Sequence, residues 1–60
     1  MYCIELFTKD GRHSLGYIYE RDANICFGGN TKNRKKYMSL EWAKKEKIHP
    51  VFKVKYIEIE

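Results

Sequence analysis

The sequence predicts an α+β fold, a small and mostly antiparallel sheet in the order β-β-β-α-β with one short helix packed on one face. Three observations predict it. Residues 2–8 and 13–20 alternate apolar and polar side chains on either side of Asp10-Gly11. Residues 51–59 are again rich in Val, Ile and aromatics at alternate positions. Between these runs, only the stretch that follows Ser39 carries the chemistry of a helix start. A period of two with β-branched and aromatic residues marks a strand, because successive side chains leave opposite sides of the pleat.

The elements follow in chain order. Asp-Gly between two strand patterns is the signature of a tight hairpin, since a type I′ turn needs positive φ at both central positions. With that pair at the tip, Lys9 faces Arg12, Leu6 faces Leu15, Ile4 faces Tyr17 and Tyr2 faces Tyr19. This face is uniformly apolar or aromatic, so it is expected to be the core face. The other carries Cys3, Glu5, Phe7, Ser14, Gly16 and Ile18, a mixed set expected to lie outside. A one-residue slip would destroy the match. Residues 21–24 break the pattern as a turn, and 25–27 form a short third strand stopped by Gly28-Gly29-Asn30. Residues 31–38 are basic and extended or looping. Ser39 is an N-cap, Glu41 places negative charge at the positive end of the helix dipole, and the helix runs over 40–47 with Leu40 and Ala43 inward. Trp42, at the edge of that inner arc, is assigned to the core. His49-Pro50 ends the helix, because a residue before proline avoids helical backbone angles. In the last strand the alternation jumps phase, predicting a bulge near Tyr56-Ile57 or a strand end buried on both faces.

Sixty residues make a single domain, 1–60. A chain of this length buries roughly 60% of its unfolded surface and has a stability margin of about 3–5 kcal/mol. Such a core has little room for a substrate cleft, so a non-enzymatic binding protein is expected, with no cofactor. The two cysteines, Cys3 and Cys26, lie in apolar surroundings and read as reduced thiols of a cytoplasmic protein, a disulfide between them being the alternative. No apolar run approaches the ~20 residues of a membrane span, and no secretory leader pattern opens the chain.

Charge is unevenly spread. Residues 31–55 hold nine Lys or Arg against two Glu, whereas residues 1–30 hold three basic against four acidic side chains. A basic footprint on a small domain fits a polyanion. The expected partner-binding residues are Lys32, Arg34, Lys35, Lys36 and Tyr37, with Arg12 contributing from the hairpin tip. Arginine and tyrosine are common interface anchors. Lys44, Lys45 and Lys47 read equally well as a solvated helix face.

Other constellations are weaker. Cys3, His13, Cys26 and His49 are zinc-type ligands, but their spacings match no metal motif, so no metal site is expected. The same thiols and imidazoles do not make a catalytic pair. Phe27–Lys32 departs from the phosphate-loop pattern, and its glycines are expected to serve a turn, with an anion-binding backbone nest as the alternative. Tyr17 and Tyr19 share a strand face as stacking residues do in single-strand RNA binders, yet the hairpin register assigns them to packing.

The opening hairpin around Asp10-Gly11, the run Asn33-Arg34-Lys35-Lys36-Tyr37-Met38-Ser39-Leu40-Glu41-Trp42-Ala43 leading into a short helix, and the terminal strand over 51–59 resemble a class of very small phage and mobile-element proteins. The resemblance covers most of the chain in outline and assigns no residue a role. It implies an inhibitor or modulator of host machinery, of the kind that includes anti-CRISPR proteins. The function expected is therefore binding of a host protein or nucleoprotein through the basic patch. The alternatives are direct, largely sequence-independent binding of DNA or RNA, and a structural homodimer formed through Phe7 and Ile18 or through the last strand.

Overall fold

A computed structural model describes residues 1–29 and 32–59; the readings that involve Asn30, Thr31 and Glu60 lie outside the described residues. Strands β1 (Tyr2–Phe7), β2 (Ser14–Arg21) and β3 (Asn24–Gly28) are followed by helix α1 (Leu40–Lys44) and strand β4 (Lys53–Glu58). They form one four-stranded antiparallel sheet in the order β3-β2-β1-β4. The architecture is mostly sheet, and the helix is a single short turn-and-a-half of five residues.

The tight two-residue turn sits between β2 and β3, not between β1 and β2. Asp22 and Ala23 have φ of 52° and 65° and are flanked by the pair Arg21 and Asn24, the positive-φ pattern of a type I′ connection. At the first hairpin only Gly11 has positive φ, at 75°. The loop there is wider, closed by Thr8 N–H to the His13 carbonyl at 2.9 Å and by Gly11 N–H to the Thr8 carbonyl at 2.8 Å.

That wider loop is joined to a correction with large consequences. Phe7 pairs with Ser14, as the simple hairpin register requires, but Leu6 pairs with Gly16 and Glu5 with Tyr17. Leu15 is the extra residue of a bulge between these pairs. Beyond the bulge every β2 side chain is on the face opposite to the one expected. Ile18, expected outside, is 1% exposed in the core with Ile4, Leu6, Tyr37 and Ala43. Tyr17 and Tyr19, expected inside, lie on the other face. Gly16 makes the bulge possible: its φ is +98°, and a Cβ there would sit 2.0 Å from the Gly28 carbonyl oxygen.

β1 and β2 then diverge, and the chain itself fills the gap. The outer edge of β1 is paired with β4 and that of β2 with β3. Yet Tyr2 forms a further bridge to Tyr37, and Tyr19 one to Arg34. Residues 34–37 therefore sit in the fork between the two central strands. Three backbone bonds of 2.8 Å hold them: Tyr2 N–H to Tyr37 C=O, Tyr37 N–H to Tyr2 C=O, and Lys35 N–H to Ile18 C=O. This satisfies main-chain groups that the parting strands would leave unpaired.

The connection from β3 to β4 covers the core face. Ser39 is the N-cap, its hydroxyl accepting from Trp42 N–H at 3.1 Å, and Glu41 lies in the first turn, as expected. Ala43 is buried and Leu40 half-buried, but Trp42 is 51% exposed and not a core residue. The helix ends at Lys44, three residues before the expected limit. β4 runs beside β1 in unbroken register from Tyr2 opposite Glu58 to Phe7 opposite Lys53, so of the two expectations for its end the bulge near Tyr56-Ile57 is absent, while Tyr56 and Ile57, on opposite faces, are both half-buried. Among the described residues no helix is long and apolar enough to cross a membrane.

Candidate nucleic-acid interface

The basic cluster over residues 32–37 is not one surface. Its members alternate between the two sides of the sheet, because the segment is stitched into the fork as strand-like backbone. Tyr37 is 0% exposed and belongs to the core, which corrects its assignment as an interface anchor. Its hydroxyl donates to Glu46 Oε2 at 2.5 Å, and its ring meets Trp42 edge-on at 6.2 Å. Lys35 is on the same side, its Nζ 3.1 Å from Glu46 and 3.2 Å from Glu20. Its ammonium also lies 5.3 Å from the centre of the Tyr37 ring.

This cluster is electrostatically closed. Burial works against the Lys35 ammonium, but hydrogen bonds and charge from Glu46 and Glu20 outweigh it and hold the pKa above the ordinary lysine value. Tyr37 is pushed well up, first by burial and then by the Glu46 carboxylate. Glu46 is held below the ordinary carboxylate value by the Tyr37 hydrogen bond, against burial and with help from Lys35. With two carboxylates beside it, Lys35 is a structural cation rather than a free contact for an anion.

Arg34 is the opposite case. It points to the face the helix leaves open, with its guanidinium carbon 5.7 Å from the centre of the Tyr17 ring. Among the described residues no carboxylate forms an ion pair with it, and its Nε is buried without an acceptor. A cation over an aromatic face is attracted by the ring's negative quadrupole.

Pairing aligns this open face in rows. One row runs Gly28, Tyr17, Glu5, Lys55; the next places Cys26 beside Tyr19, with Cys3 beside Ile57; a third runs Ser14, Phe7, Lys53. The β3 positions next to the tyrosines are small, and a Cβ on Gly28 would lie 3.5 Å from the Tyr19 ring. Both tyrosine rings remain half-buried, and Lys53 and Lys55 are exposed. Glu5, the one acidic group in the rows, accepts from the Ser14 hydroxyl. Arg12 is exposed at the hairpin tip, where the Gly11 Cβ position is 3.3 Å from the Lys53 side chain. Asp10 there is held below its ordinary carboxyl value by hydrogen bonds from the Thr8 hydroxyl and the Arg12 backbone. Lys32, before the inserted segment, and Lys36, within it, are both exposed.

The open face thus brings together Arg34, Tyr17, Tyr19, Lys53, Lys55 and, at its end, Arg12. Of these, only Arg34 and Arg12 were among the residues expected from sequence. The signal that finds the two tyrosines is Gly16, an isolated glycine inside a strand pattern and so a marker of a bulge; Lys53 and Lys55 follow from the alternation of β4. Cys3 is buried and Cys26 half-buried, both as free thiols. Burial, the largest influence, raises the Cys3 pKa, which makes it a poor nucleophile. Among the described residues no three His, Cys, Asp or Glu side chains gather as metal ligands would. No family model, curated protein or solved structure matches the chain, so what this surface does is argued from its geometry.

Proposed function

We propose that the chain is a non-enzymatic binding protein of the small phage-accessory type, which modulates a host nucleoprotein by contacting its nucleic acid across the open sheet face. The observation that carries the reading is the arrangement of Arg34 over Tyr17, unpaired with any described carboxylate, on a sheet face that also presents Tyr19, Lys53 and Lys55. Aromatic faces stack on bases without regard to sequence, and each stacked base contributes about 1–3 kcal/mol. Lysines beside them neutralise phosphates and release counterions. The sheet spaces these groups on a rigid frame, which lowers the ordering cost of binding.

The test is the affinity for single-stranded and double-stranded oligonucleotides of mixed sequence at low and at physiological salt. Binding that favours the single strand and weakens steeply with salt supports the reading. Tyr17→Ala is then expected to weaken it by about five-fold or more, in line with the loss of one stacked base. Arg34→Glu is expected to abolish it, while Lys36→Glu changes it little. Absence of binding to either strand form at low salt would leave a protein surface of the host as the target and remove the nucleic-acid component.

A further inference from the structure

We infer that two copies of this chain associate through their β3 strands, paired antiparallel about Cys26 to make a continuous eight-stranded sheet. Among the described residues the sheet has two free edges, and they are unlike. β4 carries Lys53, Lys55 and Glu58 among its six residues, the usual protection against unwanted strand pairing. β3 reads Asn-Ile-Cys-Phe-Gly, with no charge and no proline. Its two large apolar residues are exposed, Ile25 at 42% and Phe27 at 46%. They border a mostly apolar groove of about 200 Å³ lined by Leu6, Ile18, Ile48 and Phe52, with Lys47 and His49 also against it.

The backbone polarity of β3 fits this pairing. The two-residue turn makes Arg21 and Asn24 the first hydrogen-bonded pair, so pairs bonded to β2 alternate from there: Tyr19 with Cys26, then Tyr17 with Gly28. The Ile18 carbonyl points the other way, to Lys35, which agrees with this alternation. The N–H and C=O groups of Ile25 and Phe27 therefore point outward, and no described backbone group bonds to them. In a pairing centred on Cys26, Ile25 of each copy lies opposite Phe27 of the other in a hydrogen-bonded pair. Four main-chain bonds form, and each Ile–Phe pair is a favourable cross-strand contact. The register is self-complementary, as a two-fold interface must be. It places the two Cys26 residues in the close, non-hydrogen-bonded position, where Cα atoms stand about 4.5 Å apart, within the range a disulfide spans.

Sedimentation equilibrium of the full chain up to high protein concentration tests this directly. The expected result is a mass twice that of the chain, with Ile25→Lys returning it to the single-chain mass while the circular dichroism spectrum stays unchanged. A second measurement does not depend on that variant folding. Oxidised glutathione, which is reduced to two glutathione thiols as one disulfide forms, is expected to link wild-type chains through Cys26. Cys26→Ser should abolish the link and Cys3→Ser leave it. A single-chain mass at every concentration, or a dimer that neither links through Cys26 nor responds to Ile25→Lys, would overturn the inference.

Discussion

The two faces of β2 show how much depends on one inserted residue. On the helix side, Ile18 is buried with Ile4, Leu6 and Tyr37, and Gly16 is buried opposite Leu6. On the open side, Tyr17 and Tyr19 stand half-buried beside Arg34. Judged by ring size and hydrophobicity alone, the two tyrosines make a better core than Gly16 and Ile18. The bulge reverses this, placing the small and aliphatic residues where the helix-bearing connection must pack and leaving the amphipathic rings at the surface. Tyrosine suits that place, because its ring packs at the edge while its hydroxyl stays wet.

Four substitutions break or sharpen this comparison. Gly16→Ala should have the largest effect. The added carbon would collide with the Gly28 backbone and would have to accept a φ of +98°. Against a total stability of about 3–5 kcal/mol for a chain this short, the expected outcome is loss of cooperative urea unfolding. A folded Gly16→Ala would show that the bulge is not what sets the faces. Next comes the neighbouring pair Ile18→Ala and Tyr17→Ala. The first should cost about 2–4 kcal/mol, as for a core aliphatic, and the second under about 1 kcal/mol, as for a surface site. The regular hairpin register would give the reverse order, so urea melts of the two variants decide between them.

Tyr37→Phe should cost less than Ile18→Ala. It removes one hydrogen bond to a charged group, worth about 1.5–3 kcal/mol. It also alters the pH profile in a defined direction. Glu46 has a lowered pKa in the folded state, so its contribution is present above the ordinary carboxylate value of about 4.3 and is lost as pH falls through the folded value. Tyr37 is raised, so its contribution is present below the ordinary tyrosine value of about 10 and is lost as pH rises toward the folded one. Urea stability measured across pH should fall less steeply at both ends in Tyr37→Phe than in the wild type.

Much of the fold is legible in the sequence, for local reasons. Ser39 and Glu41 mark the helix start, the alternating runs mark three of the strands, the short apolar run 25–27 marks the other, and residues 21–24 mark a turn, since each signal depends on neighbours in the chain. Pairing is less legible. The rule that Asp-Gly makes a two-residue turn outweighed the isolated Gly16, whose place in a strand pattern announces a bulge. The candidate site is hidden for a related reason. Lys35 and Tyr37 look like surface residues because their run is so basic, and only the fork between β1 and β2 shows that Glu20 and Glu46, distant in sequence, neutralise the lysine and bind the hydroxyl. Arg34 escapes that fate because strand-like backbone turns adjacent side chains to opposite sides.

The insertion of residues 34–37 into the first hairpin also bears on how the molecule assembles. A hairpin is ordinarily an early, local event, formed in about 1–10 μs without help from the rest of the chain. Here only the part nearest the turn can close alone, since Tyr2 and Tyr19 each bridge to a segment from the middle of the chain. Completing the two central strands therefore requires the long loop from β3 to come back first, with the entropy of that closure paid before the contacts form. Folding is accordingly tied to non-local contacts and slower than the chain's length implies. The full pairing of the two central strands is thus reached only with residues 34–37 in place.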